Sequence, residues 1–136
     1  MNWLTEKEVL ANSGTLICAL KCSRDHHHQL ATCTQKEIQQ LPYLLGCYIR
    51  SDFCALCIRR KRLREVGRGC AGVCPLFDAE RMFCCEEWWK VNEAIKAYLN
   101  KKSNVRFGAF RDAERALVAR IDRAITKHGY GGRLIC

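Results

Sequence analysis

The sequence predicts a mainly α fold: an antiparallel C-terminal helical hairpin, preceded by an irregular cysteine-rich segment and by short N-terminal helices. Three observations carry this expectation. Apolar residues recur at three- and four-residue steps over two long stretches in the C-terminal half. Six cysteines crowd into "FCALCIRRKRLREVGRGCAGVCPLFDAERMFCCEEWW", residues 53–89. Two tetrapeptides of capping-box form punctuate the first forty residues.

Taken in order, "TEKE" at Thr5 pairs a hydroxyl acceptor with a glutamate three residues on, which predicts a short helix from Glu6 to Ala11. Ser13-Gly14 breaks it. Thr15 then caps a second helix through "LICALKCSRDHHHQLATC", on which Cys18, Cys22, His26, Gln29 and Cys33 share a face. "TQKE" at Thr34 repeats the capping box and predicts a third short helix ending near Leu41-Pro42. "YLLGCYI" fits a short strand or buried coil equally. Ser51 opens a helix over 52–66, with Phe53, Leu56, Leu63 and Val66 on its apolar side. Gly67 to Gly69 ends it, and Cys74, before Pro75, is extended. Asp78 caps a helix over 79–100 with Cys84, Trp88, Val91, Ile95 and Leu99 as one stripe. Ser103 or Asn104 opens the last helix, whose buried face is Phe110, Ala113, Leu117, Ile121 and Ile125, with Gly129 at its C-cap. "GYGGRLIC" reads as a loose tail. The short connection between the last two helices makes them an antiparallel hairpin.

A chain of 136 residues favours one domain: an N-terminal helical segment (1–50), a cysteine-rich segment (51–85) and the hairpin (79–128). Hydrophobic residues make up 49%, which excludes a disordered chain, and no run approaches the roughly 20 apolar residues that span a membrane. The start, "MNWLTEKEVLANSG", lacks the basic and apolar regions of a secretory signal, so the expected compartment is the reducing cytoplasm. There, clustered cysteines are metal sites more often than disulfides. Eleven cysteines is also an odd number, so full pairing would leave one over.

Cys54 and Cys57 form CxxC, Cys70 and Cys74 form CxxxC twelve residues later, and Cys84 and Cys85 follow. Zn²⁺ takes four thiolate or imidazole ligands in a tetrahedron, and each short-spaced pair chelates, so its second ligand comes at little further entropic cost. The expected set is Cys54, Cys57, Cys74 and Cys84, with Cys70 and Cys85 as alternates, binding one Zn²⁺ that staples the segment. Buried small hydrophobes are the competing reading of these cysteines. A second candidate site draws on Cys18, Cys22, His26 and Cys33, which at helical spacing also suit core packing. A thioredoxin-like dithiol would call for a βαβ pattern, which is absent. A hydrolase built on "DHHH" would need further carboxylates that nothing singles out.

Net charge is +9, from 23 Lys+Arg against 14 Asp+Glu. Six of the positive residues fall at Arg59, Arg60, Lys61, Arg62, Arg64 and Arg68. A helix anchored by a metal and studded with guanidinium groups suits phosphate contacts, hence nucleic acid; a solvated helix face is the competing reading. Trp88 and Trp89 offer stacking surfaces for single-stranded bases, although Trp88 falls on the core stripe.

"CALC…CxxxCPL…CCEEWWKVNEA", with "FGAFRDAERALVARI" after it, resembles small uncharacterised cysteine-rich bacteriophage proteins that carry a zinc-finger-like CxxC…C(P)L…CC motif. The resemblance covers residues 51–125, and the CxxxC at Cys70 and Cys74 departs from the more usual CxxC. It implies a phage or prophage accessory protein with a zinc site, acting in the bacterial host cytoplasm, and implies no reaction. The expected function is therefore non-enzymatic: a zinc-stabilised basic protein that binds nucleic acid. A phage inhibitor that docks on a host protein or defence complex is the alternative, and a thiol redox or metal-dependent enzyme is third.

Overall fold

The computed structural model describes residues 2–41, 54–63, 75–76 and 85–128. These form six helices and no strand: α1 Glu6–Ala11, α2 Leu16–Thr32, α3 Gln35–Gln39, α4 Ala55–Leu63, α5 Glu86–Asn100 and α6 Asn104–His128. The N-terminal helices begin where their caps place them. Thr5 Oγ1 accepts the Glu8 N–H at 3.2 Å, and Glu8 Oε2 accepts the Thr5 N–H at 2.7 Å. Thr34 and Glu37 repeat that geometry at the same two distances. Thr15 Oγ1 accepts the Cys18 N–H at 3.3 Å and starts α2. Each such bond satisfies an amide that the first helical turn leaves without an intrahelical partner.

The two central helices start later than the sequence predicts. Cys54 lies outside α4, and its sulfur accepts the Cys57 N–H at 3.2 Å, so the cysteine caps the helix that Ser51 was expected to open. Cys85 is extended (φ −167°, ψ 120°), which breaks the expected continuous helix over 79–100 and sets the start of α5 at Glu86. Glu86 and Glu87 then occupy the first turn, where carboxylates complement the positive end of the helix dipole. The expected features at 42–53, 64–74, 77–84 and 129–136 lie outside the described residues.

The hairpin forms as the apolar stripes require. Residues 101–103 join α5 to α6, and Ser103 Oγ accepts the Arg106 N–H at 3.2 Å. Beside the turn, Arg106 Nη1 donates to the Ala97 carbonyl at 2.7 Å, and the Tyr98 and Phe107 rings sit 5.4 Å apart. Val91, Ile95 and Tyr98 of α5 meet Phe107, Phe110, Leu117 and Ile121 of α6 in a single core. Helix α3 docks at the turn end: the Tyr98 hydroxyl donates to Gln35 Oε1 at 3.2 Å and accepts from Gln39 Nε2 at 3.3 Å.

The sequence gave no sign that α2 is the third long member of this core. It packs along α6 as extensively as α5 does, and α4 packs on α2. Ile17, Leu20 and Leu30 are buried on α2, as are Ala55, Leu56 and Ile58 on α4. The CxxC turn at the start of α4 is thereby set against α2, and α2 against α6.

Candidate functional site

The seam between α2 and α6 holds a buried polar pair. Phe110, Leu117 and Ile121 repeat along α6, and Glu114 interrupts them at a fully buried position. Its Oε2 lies 2.7 Å from His27 Nδ1, and the two side chains are 0% and 5% exposed. Glu114 Oε1 is buried with no hydrogen-bond partner. Burial alone would push His27 down, but the Glu114 charge and hydrogen bond outweigh it, and the imidazole is held above its usual value. Burial pushes the Glu114 carboxyl up, against the pull of His27. The neighbouring His26 ring sits edge-on to His27, with centroids 5.1 Å apart. Burial, and then the adjacent His27, drive His26 down to about 3, so it is neutral. His28 is exposed.

Facing α2 from α4 is the CxxC pair. Cys54 and Cys57 both carry thiols. A side-chain hydrogen bond from Cys57, together with burial, holds the Cys54 thiol well above its ordinary value, while the His27 charge pulls it down. Cys54 in turn helps raise His27, so thiol and imidazole lie within each other's field. Burial, with Asp25 and Cys54 adding to it, pushes Cys22 up to about 11. These are protonated thiols, and a metal ion would have to displace their protons.

The other expected site residues are placed as follows. Cys18, Cys22, His26 and Cys33 all point inward, but they do not gather as ligands; among the described residues, no three His, Cys, Asp or Glu side chains stand close enough to hold one ion. Cys18 is disulfide-bonded, and Cys33 Sγ donates to the Leu30 carbonyl at 3.2 Å, its thiol pushed by burial to about 12. Cys85 is a buried thiol 3.6 Å from Glu87 Oε2. Cys70, Cys74, Cys84, Arg64 and Arg68 lie outside the described residues, as do the side chains of Arg60, Lys61 and Arg62. Arg59 is partly buried, with its Nε enclosed and lacking a partner, which is unlike the open solvated face expected for it.

Trp88 packs partly buried against the core, as its stripe position predicts, and Trp89 is 48% exposed with the Lys96 ammonium 6.0 Å from its ring. A shallow cavity of about 270 Å³ opens on the outer side of the α2–α6 seam, lined by His28, Ala31, Thr32, Arg115, Val118 and Asp122. Arg24 Nε closes that edge with a 2.8 Å bond to Asp122. No described helix is long and apolar enough to cross a membrane.

His27 and Glu114 are the residues that sequence reasoning missed. One signal was available: Glu114 falls on the apolar stripe of α6, four residues after Phe110 and three before Leu117. A carboxylate in that register is either buried with a partner or a break in the stripe. In comparisons with known proteins, the chain matches no family model, no curated protein and no solved structure.

Proposed function

We propose that this chain is a small, basic, zinc-stapled binding protein, without enzymatic activity, that engages nucleic acid through the positive run over 59–68. The observation that carries the reading is the CxxC turn. Cys54 and Cys57 sit at the mouth of α4 with their thiols hydrogen-bonded, a spacing suited to chelating one ion, and the basic residues follow along the same helix. A metal at that turn would anchor the α4 backbone and present its guanidinium groups as one body. Cys74 and Cys84, or Cys70 and Cys85 in their places, are the further thiols on offer. The resemblance to bacteriophage proteins makes a phage or prophage accessory role in the host cytoplasm the natural setting.

Two measurements test this. Native mass spectrometry on reduced protein should find one Zn²⁺, lost together with the fold when Cys54 and Cys57 become serine. Replacing Arg59, Arg60, Arg62 and Arg64 with glutamine should remove roughly four phosphate contacts and flatten the salt dependence of binding accordingly. Unchanged binding to both DNA and RNA would refute the nucleic-acid reading.

The exposed Trp89 favours a second reading, a phage inhibitor that docks on a host protein or defence complex, because exposed aromatic residues are frequent anchors of protein interfaces. A host partner that co-purifies after nuclease treatment, and is lost in Trp89→Ala, would support it.

A further inference from the structure

We propose that His27 is the imidazole ligand of the Cys54–Cys57 zinc site, with Glu114 as the carboxylate that positions it. This rests on the zinc reading above and changes its ligand set to three cysteines and one histidine. The first argument is tautomeric. Glu114 Oε2 occupies the Nδ1 side of the ring at 2.7 Å, so Nδ1–H donates to the carboxylate and the Nε2 lone pair is left to bind elsewhere. Histidines that bind metals are commonly held in this way by a carboxylate.

The second argument is energetic. A buried ion pair is no more stabilising than well-packed apolar residues of similar volume. Here one carboxylate oxygen is also enclosed without a partner, which adds cost. The pair lies in the middle of an otherwise apolar stripe, where leucine would serve packing better. Its retention makes sense if the imidazole has a task.

The third argument is placement. Helix α4 packs on α2, and Cys54 lies in the same core as Cys22 and Leu30 of α2. Glu114 selects His27 within the His26–His28 triplet: His28 faces solvent, and the described carboxylate reaches His27.

In the structure described, His27, Cys54 and Cys57 do not yet surround one point. Zinc binding would replace the Cys54–Cys57 hydrogen bond with two sulfur–metal bonds and release the thiol protons to solvent. One more cysteine of the central segment would complete four ligands, with His27 entering through Nε2.

X-ray absorption at the zinc edge of the reduced, full-length protein counts sulfur and nitrogen neighbours directly. Three sulfurs and one nitrogen are expected, with the nitrogen signal lost in His27→Gln. Glu114→Gln should keep the ligand count and weaken zinc affinity, read by chelator competition, by about 10- to 100-fold. Bound zinc with four sulfurs in the parent protein would overturn the His27 assignment and leave the zinc reading standing. A protein that holds no zinc would overturn both. Unchanged affinity in a folded Glu114→Gln variant would overturn the positioning role alone.

Discussion

Helix α6 has two buried faces, and they are built on different principles. Toward α5 it presents Phe107, Phe110, Leu117 and Ile121, which meet Val91, Ile95 and Tyr98 in an apolar seam. Toward α2 it presents Glu114, which meets His27 at 2.7 Å. The first face gains stability from nearly every contact, since each fully buried large apolar side chain contributes about 1.5–3 kcal/mol. The second removes a carboxylate and an imidazole from water and recovers that cost only through their mutual bond. The apolar seam therefore holds the fold, and the polar seam is where chemistry is to be sought.

Substitutions on the two faces separate these roles. Phe110→Ala should cost about 3–5 kcal/mol in chemical denaturation, because the ring is fully buried and its cavity cannot collapse between two helices. Glu114→Ala should cost a similar amount, about 3–5 kcal/mol, by leaving His27 buried without its partner. The double replacement of His27 and Glu114 by leucine distinguishes the two faces. It should recover most of that loss in metal-free protein, as no apolar-to-alanine change can. Failure to recover would mean that the polar seam contributes to stability in its own right.

Acid should act on the polar seam first. His26 is held down to about 3, below its ordinary value of 6.5, chiefly by burial. A histidine depressed in the folded state gives stability that is complete above about 6.5 and is lost as pH falls toward 3. His27 is raised, so its own contribution is full below 6.5 and declines as pH rises through its folded value. Denaturant midpoints measured between pH 7 and 3 should fall for the parent protein. The slope should flatten in His26→Leu.

The smallest expected effect lies away from both seams. Thr34→Ala removes the hydroxyl that caps α3 and should cost about 1 kcal/mol. Because α3 docks on Tyr98, the loss should appear as faster amide exchange at 35–40 with α5 little changed.

The N-terminal helices were legible in the sequence because their determinants are local. Thr5 with Glu8 and Thr34 with Glu37 satisfy their own helix ends, whatever the rest of the chain does. The hairpin was legible for a related reason: a repeated apolar stripe admits one inward face, and a three-residue connection admits one direction of return. The starts of α4 and α5 were misplaced because Ser51 and Asp78 are good caps on paper. Position 54 instead caps with sulfur, and position 85 is extended.

The sequence by itself determined that this is a helical, basic, cysteine-rich chain, with capped short helices, a C-terminal hairpin and a CxxC at a helix start. Composition, capping and periodicity act over a few residues and need no partner. Only the tertiary structure decided that α2 joins the hairpin and that, of three adjacent histidines, His27 meets a carboxylate 87 residues away. Periodicity says which face of a helix is buried, but which helix covers it depends on packing between segments distant in the chain. That packing alone turned Glu114 from a flaw in an apolar stripe into half of a buried pair.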